Sequence, residues 1–169
     1  MQNLIPKKEE EERRLKALAE YRILGTKPES CYDDITKIAA STCNVPISLM
    51  TLVDRDKQWF KSKVGLEINE TKRDWSFCTH AIKENSPLII KDAYQDERFI
   101  NNPLVTGDPK IRFYAGFPLR NQDGNKLGTL CVIDRKPVNL YQKKYYVMEL
   151  LYSQIVYFLE LSKKSLNLF

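Results

Sequence analysis

Residues 111–134, IRFYAGFPLRNQDGNKLGTLCVID, constrain the fold more tightly than any other stretch. Two β-rich runs flank Asp123-Gly124, a strong short-range hairpin signal. An antiparallel strand pair is therefore set before any tertiary argument is made. Upstream, ISLMTLVD (47–54) is continuously apolar, as expected of a central strand covered on both faces. Arg55-Asp56-Lys57 makes a turn, and 58–65 returns as a more polar strand nearer an edge. Residues 66–75 read as irregular, 77–84 as a helix ending near Asn85 and Pro87, and 88–93 as a further strand.

Helical periodicity marks both ends of the chain. Leu15, Leu18, Ala19 and Ile23 recur within a helix over 9–24, and Glu9 to Glu12 lie in its first turn, where the helix dipole favours them. Gly25 and Pro28 stop it. Ser30, with Asp33 three residues on, caps a second helix whose inner face is Ile35, Ile38, Ala39 and Thr42, closing at Asn44 and Pro46. Asn139, with Gln142, caps a long helix to 165. Its apolar residues are spread more widely than one surface face requires, from Val147 and Met148 through Leu150, Leu151, Ile155, Val156, Phe158, Leu159 and Leu161. One side is expected to cover the sheet and the other a second chain. The order ααββαβ(short α)ββα predicts an α+β fold, with a largely antiparallel sheet carrying the terminal helices on one face. The chain reads as one domain, 1–169: helix and lead-in 1–28, core 30–134, C-terminal helix 139–165.

Several classes are disfavoured. No stretch approaches the roughly 18 consecutive apolar residues of a membrane span. MQNLIPKKEEEERR has no apolar signal segment. Cys31, Cys43, Cys78 and Cys131 lack paired spacing and read as reduced thiols of a cytoplasmic protein. With one histidine in the chain, no metal site is expected. The net charge of +5 is dispersed in pairs such as Lys7-Lys8 and Lys143-Lys144, so neither nucleic acid nor membrane is an expected partner.

Residues 77–134 carry Phe77-Cys78-x-His80-Ala81-Ile82, Asp92-Ala93, Asp96-x-Arg98-Phe99, Asn102-Pro103-Leu104-Val105, Ile111 to Gly116, and Gly128 to Asp134. This block resembles GAF domains of bacterial signalling proteins, most closely those beside diguanylate cyclases, histidine kinases and similar output domains. The resemblance continues more weakly through the flanking helices. It implies a PAS-like sensor, with loops and short helices forming a pocket on the face opposite the terminal helices. It names no ligand and no cofactor, because related domains bind cyclic nucleotides, tetrapyrroles, small metabolites or nothing known.

The candidate ligand residues are Phe77, Cys78, His80, Asp92, Phe99, Arg112 and Tyr114. Ser76 is placed to cap a helix with Cys78 in its first turn, where the dipole favours a thiolate. On a helix, residues two apart point about 200° away from each other, so Cys78 and His80 are not a nucleophile–base pair. No catalytic residue is expected. Alternation in 111–118 puts Ile111, Phe113, Ala115 and Phe117 on one face, with Arg112, Tyr114 and Gly116 on the other. Arg112 and Tyr114 suit an anionic or aromatic ligand; alternatively, Arg112 pairs with Asp92 or Asp96 and pins the loop over the sheet. Trp59, Phe60, Trp75, Phe77 and Phe99 are either cavity lining or core. Arg98 and Asp134 read as turn or cap residues.

These residues point to a non-catalytic sensor that binds an unidentified small molecule. It would signal through its terminal helices to a dimer mate or an output protein. One alternative is thiol redox chemistry at Cys78 or Cys131. The free methionine sulfoxide reductases, which share the GAF fold, carry a His-Ile-Ala-Cys segment, and here 101–110 has no cysteine. Bilin attachment is disfavoured because Thr79 separates Cys78 from His80. Cyclic-nucleotide binding is disfavoured because the Asn-Lys-x-Phe-Asp-Glu signature is absent. The remaining alternative is a dimerisation module with a filled pocket. No output domain is recognised, so the chain acts in trans or is a piece of a longer protein.

Overall fold

The structure, a computed structural model, describes residues 7–168; the lead-in before Lys7 lies outside them. Helices α1 (Lys7–Glu20) and α2 (Ser30–Cys43) precede strands β1 (Ile47–Val53), β2 (Lys57–Val64) and β3 (Glu70–Lys72). There follow α3 (Phe77–Ala81), β4 (Leu88–Ile90), α4 (Pro103–Thr106), β5 (Phe113–Arg120), β6 (Lys126–Asp134) and α5 (Gln142–Leu166). The six strands form one antiparallel sheet in the order β3-β2-β1-β6-β5-β4. This is the expected α+β architecture.

The central strands explain the sequence pattern. Every residue of β1 is buried, because both of its faces are covered. On one face Met50, Leu52, Phe113, Ala115, Phe117, Leu130 and Val132 pack against Leu18, Ile35, Ala39, Met148, Ile155 and Leu159 of α1, α2 and α5. On the other, Leu49, Val53, Tyr114, Cys131 and Ile133 pack against Phe77, Cys78 and Ala81 of α3 and against Phe99, Leu104 and Val105. The sheet thus divides the interior into two apolar layers.

The tip of the β5–β6 hairpin is built as its sequence demands. Gly124 adopts φ 82°, and the Asn121 side chain accepts the N–H groups of Asp123 and Asn125. In β2 the alternation breaks, since Met50 pairs with Ser62 and Thr51 with Phe60, leaving Lys61 as a bulge. Lys61 is fully buried (0% of its side chain exposed), held by Glu29 at 2.7 Å, Thr26 Oγ1 at 2.7 Å and the Lys27 carbonyl at 2.5 Å. These partners occupy its three donors, which makes burying the ammonium tolerable.

Several expectations at element ends need correction. Helix α1 stops at Glu20 rather than 24, so Ile23 is buried from the following loop, and Ala17 with Arg14 faces inward in place of Ala19. Ile38 is 48% exposed, and the inner face of α2 is Tyr32, Ile35, Thr36, Ala39, Ala40 and Cys43. Neither Ser30 nor Asn139 caps: Glu29 and Tyr141 occupy the cap positions without a side-chain bond. Residues 66–75, expected to be irregular, contain the short strand β3, which pairs with β2 at the edge of the sheet. Among the described residues no helix is long and apolar enough to cross a membrane.

Candidate functional site

Ser76 starts the site. Its Oγ accepts the Thr79 N–H at 3.1 Å and donates to Gln58 Oε1 at 2.8 Å, capping α3 and docking it on β2. This fixes Phe77 and Cys78 in the first turn, pointing at the sheet. Phe77 stacks on Phe99 with centroids 4.0 Å apart and planes at 8°, and lies 5.1 Å from the Tyr114 ring. Gly116 lets Tyr114 lie there: a Cβ at 116 would meet the Tyr114 hydroxyl at 2.0 Å.

The Cys78 sulfur accepts hydrogen bonds from Tyr114 Oη at 3.3 Å and Thr129 Oγ1 at 3.1 Å. Thr129 and Thr51, opposite each other on β6 and β1, share a 3.1 Å hydrogen bond. Cys131, two residues after Thr129 on the same face, lines the same cavity and belongs to the same apolar layer as Cys78. Burial pushes both thiols up, but hydrogen bonds from Cys131, Thr129, Thr51 and Tyr114 bring Cys78 below the ordinary thiol range. Cys78 is therefore the more acidic of the two thiols.

A small cavity opens beside these thiols, lined by Phe60, Phe77, Cys78, Leu104, Ile111, Tyr114 and Cys131 among others, with room of about 20 Å³ for a guest. That is the space of about one water molecule.

The candidate residues separate into two groups. Phe77, Cys78 and Tyr114 line the cavity, and Phe99 supports them from behind Phe77. His80 sits half-buried with its ring edge-on to Phe99 at 4.8 Å; burial, with Lys83 and Arg98 nearby, lowers its pKa. It braces the segment and is not the partner of Cys78. Asp92 and Arg112 lie at the rim, paired through two bonds of 2.7 and 2.8 Å, with the guanidinium 3.8 Å over the Tyr94 ring. The hydrogen bond from Arg112 holds the Asp92 carboxyl below its usual range. Of the two readings of Arg112, the structure contains the pairing one.

One placement differs from expectation, and two aromatic residues take the core alternative. Ile111 lies on the cavity side rather than with Phe113, because its N–H bonds the Leu104 carbonyl before β5 begins. Trp59 packs on the helix side, and Trp75 flanks the loop layer, where its carbonyl accepts from Asn102 at 3.0 Å. Thr51 and Thr129 are not singled out from the sequence, nor is Cys131 placed from it in one cavity with Cys78. Period-two alternation in Gly128-Thr129-Leu130-Cys131 was the signal that puts Thr129 and Cys131 on one face. Among the described residues no cluster of three or more His, Cys, Asp or Glu side chains is arranged for a metal ion.

Comparison with known proteins agrees with this architecture. The GAF domain family model matches residues 27–159. Cyclic di-GMP phosphodiesterase PA2567 of Pseudomonas aeruginosa is 40% identical over 132 residues, which are 78% of this chain and 22% of that protein. The chain thus spans about a fifth of that relative's length. The GAF domain of an Acinetobacter phosphoenolpyruvate-protein phosphotransferase superposes with a TM-score of 0.63 at 15% identity, covering 99% of both chains. Free methionine-R-sulfoxide reductase from Neisseria meningitidis superposes with a TM-score of 0.64 at 14% identity, covering 90% of this chain and 91% of that one. With the family model matched over most of its length, and with a sheet that separates terminal helices from a looped cavity, this chain belongs to the GAF domain family.

Proposed function

We propose that this chain is a non-catalytic sensory module. A small molecule bound between the sheet and residues 92–110 rearranges that segment, and the terminal helices pass the change to a second copy or an output protein. The supporting observation is the two-faced sheet. Strands β1, β5 and β6 send alternate residues to the cavity and to the layer formed by α1, α2 and α5. The room in the cavity is far below the ~300 Å³ of a typical ligand pocket, so a metabolite fills the site only by moving Leu104 and Pro109 outward. Binding and displacement are then the same event. The resemblance to part of a cyclic di-GMP phosphodiesterase suits a domain that regulates such an output without performing the hydrolysis. The four free thiols suit the reducing cytoplasm.

Native mass spectrometry of the purified chain tests this, paired with thermal melting against nucleotides and small metabolites. A co-purifying mass, or a compound that raises the melting temperature, is the expected result. A chain that carries no bound mass and answers to no compound would sink the sensory reading. A second reading, dimerisation with the pocket filled, draws on the exposed Tyr146, Leu150, Tyr157 and Leu161 of α5. It predicts a dimer with no additional mass.

A further inference from the structure

Around Cys78 the interior is chemically unusual. A buried structural cysteine packs as a small hydrophobe and needs no donors. Here Tyr114 and Thr129 both direct hydroxyl hydrogens at its sulfur, Thr51 backs Thr129, and a second thiol, Cys131, lines the same cavity from β6, two residues after Thr129. Hydroxyl groups in the middle of buried strands are costly unless paired, and these converge on one sulfur atom. The Cys78 and Cys131 residues are 2% and 0% exposed, yet both line the cavity. Its space of about 20 Å³ holds one oxygen atom of a small guest beside the sulfurs, and its mouth is open to solvent for the second.

We propose that Cys78 and Cys131 form a reversible dithiol that is oxidised by hydrogen peroxide entering this cavity. The Cys78 thiolate attacks one peroxide oxygen: an S–O bond forms, the O–O bond breaks, and hydroxide leaves and is protonated to water. Cys78 is now a sulfenic acid, and the peroxide has been reduced by two electrons. The Cys131 sulfur, losing its proton, then attacks the Cys78 sulfur. The S–S bond forms, the S–O bond breaks, and the departing hydroxide takes that proton as a second water. The sum is two thiols and one peroxide giving one disulfide and two waters. A small dithiol reductant reverses it by exchange. The disulfide ties α3 to β6 and withdraws the Cys78 sulfur from the Tyr114 and Thr129 hydroxyls. The inference uses the same cavity as the sensory reading but stands on the thiols. Oxidation without metabolite binding keeps it and removes the other, and the reverse outcome does the opposite.

The test treats the reduced, full chain with equimolar hydrogen peroxide at neutral pH, then tags the remaining thiols and maps the peptides by mass. Cys31, the most accessible of the four thiols, is the internal reference. The expected result is a Cys78–Cys131 disulfide that forms at least about tenfold faster than Cys31 is modified. With Cys131→Ser, a sulfenic acid at Cys78 is trapped by dimedone instead. Tyr114→Phe slows the wild-type reaction several-fold at unchanged circular dichroism. The inference is overturned if Cys31 reacts first, or if Cys78 and Cys131 remain free thiols while Cys31 is oxidised. Neither of those outcomes depends on a variant that must fold.

Discussion

Tyr114 reaches Cys78 only because Gly116 leaves the ring room, and the hydroxyl it brings is one of the donors on the sulfur. Tyr114→Phe should raise the Cys78 pKa toward the ordinary thiol range and cost about 1 kcal/mol of stability for the lost hydrogen bond. The pH dependence of alkylation rate at Cys78 measures the first and chemical denaturation the second; an unmoved profile means the tyrosine does not tune the thiol. Gly128 is constrained more severely. A Cβ there would stand 1.9 Å from the Thr51 carbonyl oxygen, against backbone rather than a side chain that can turn away. Gly128→Ala should destabilise by on the order of 4 kcal/mol or more, seen as insoluble expression or a collapsed melting temperature. At this scale the sequence was partly legible. Helical geometry was enough to separate Cys78 from His80, and charge was enough to suggest Arg112 with Asp92. The hydroxyls around Cys78 were not legible, because they come from β1, β5 and β6 and meet only through strand register.

At the scale of elements, the contact that fastens α1 is Glu11. Its carboxylate takes Arg14 at 2.9 Å within α1 and Arg73 at 2.5 Å from the turn before α3, while Arg14 also reaches the Lys126 carbonyl of β6. Burial pushes the Glu11 carboxyl up, but the bonds from Arg14 and Arg73 outweigh it and lower the pKa from 4.5 to about 2. A depressed carboxylate contributes stability that is fully present above its unfolded pKa and is lost as pH falls through the folded one. The wild-type melting temperature should therefore fall between about pH 4.5 and 2, a fall that Asp92 and Asp96, also lowered by arginine bonds, will share. Glu11→Gln should lower the melting temperature at neutral pH and flatten that acid slope, as melts across the range will show. Periodicity located each long element. It misjudged their ends because tertiary contacts decide them: the burial of Ile23 from a loop and the bulge at Lys61 follow from what packs opposite, which no local pattern contains.

For the whole molecule, the outward side of α5 carries an apolar stripe. Tyr146, Leu150, Tyr157 and Leu161 follow one another at spacings of four, seven and four residues, opposite the Met148, Ile155 and Leu159 that face the sheet. Such spacing keeps one stripe in line along a helix, the pattern by which helices pair. Leu150 and Tyr157 are 49% and 57% exposed, so under the proposed pairing of two copies through α5, Leu150→Glu with Tyr157→Glu should leave the fold intact and weaken self-association at least about tenfold. Sedimentation across a concentration series checks this; an unchanged association constant removes the stripe from the interface.

The sheet order also bears on how the chain reaches this state. Strand β1 lies between β2, its neighbour in sequence, and β6, which follows after more than seventy intervening residues. A nascent chain that has just displayed ISLMTLV must keep one edge of its most apolar strand unpaired until the hairpin is synthesised. Long-range pairings of this kind slow folding and expose strand edges to other chains. The interval between the synthesis of β1 and of β6 is therefore when this protein is most vulnerable to aggregation, and when a chaperone would matter most.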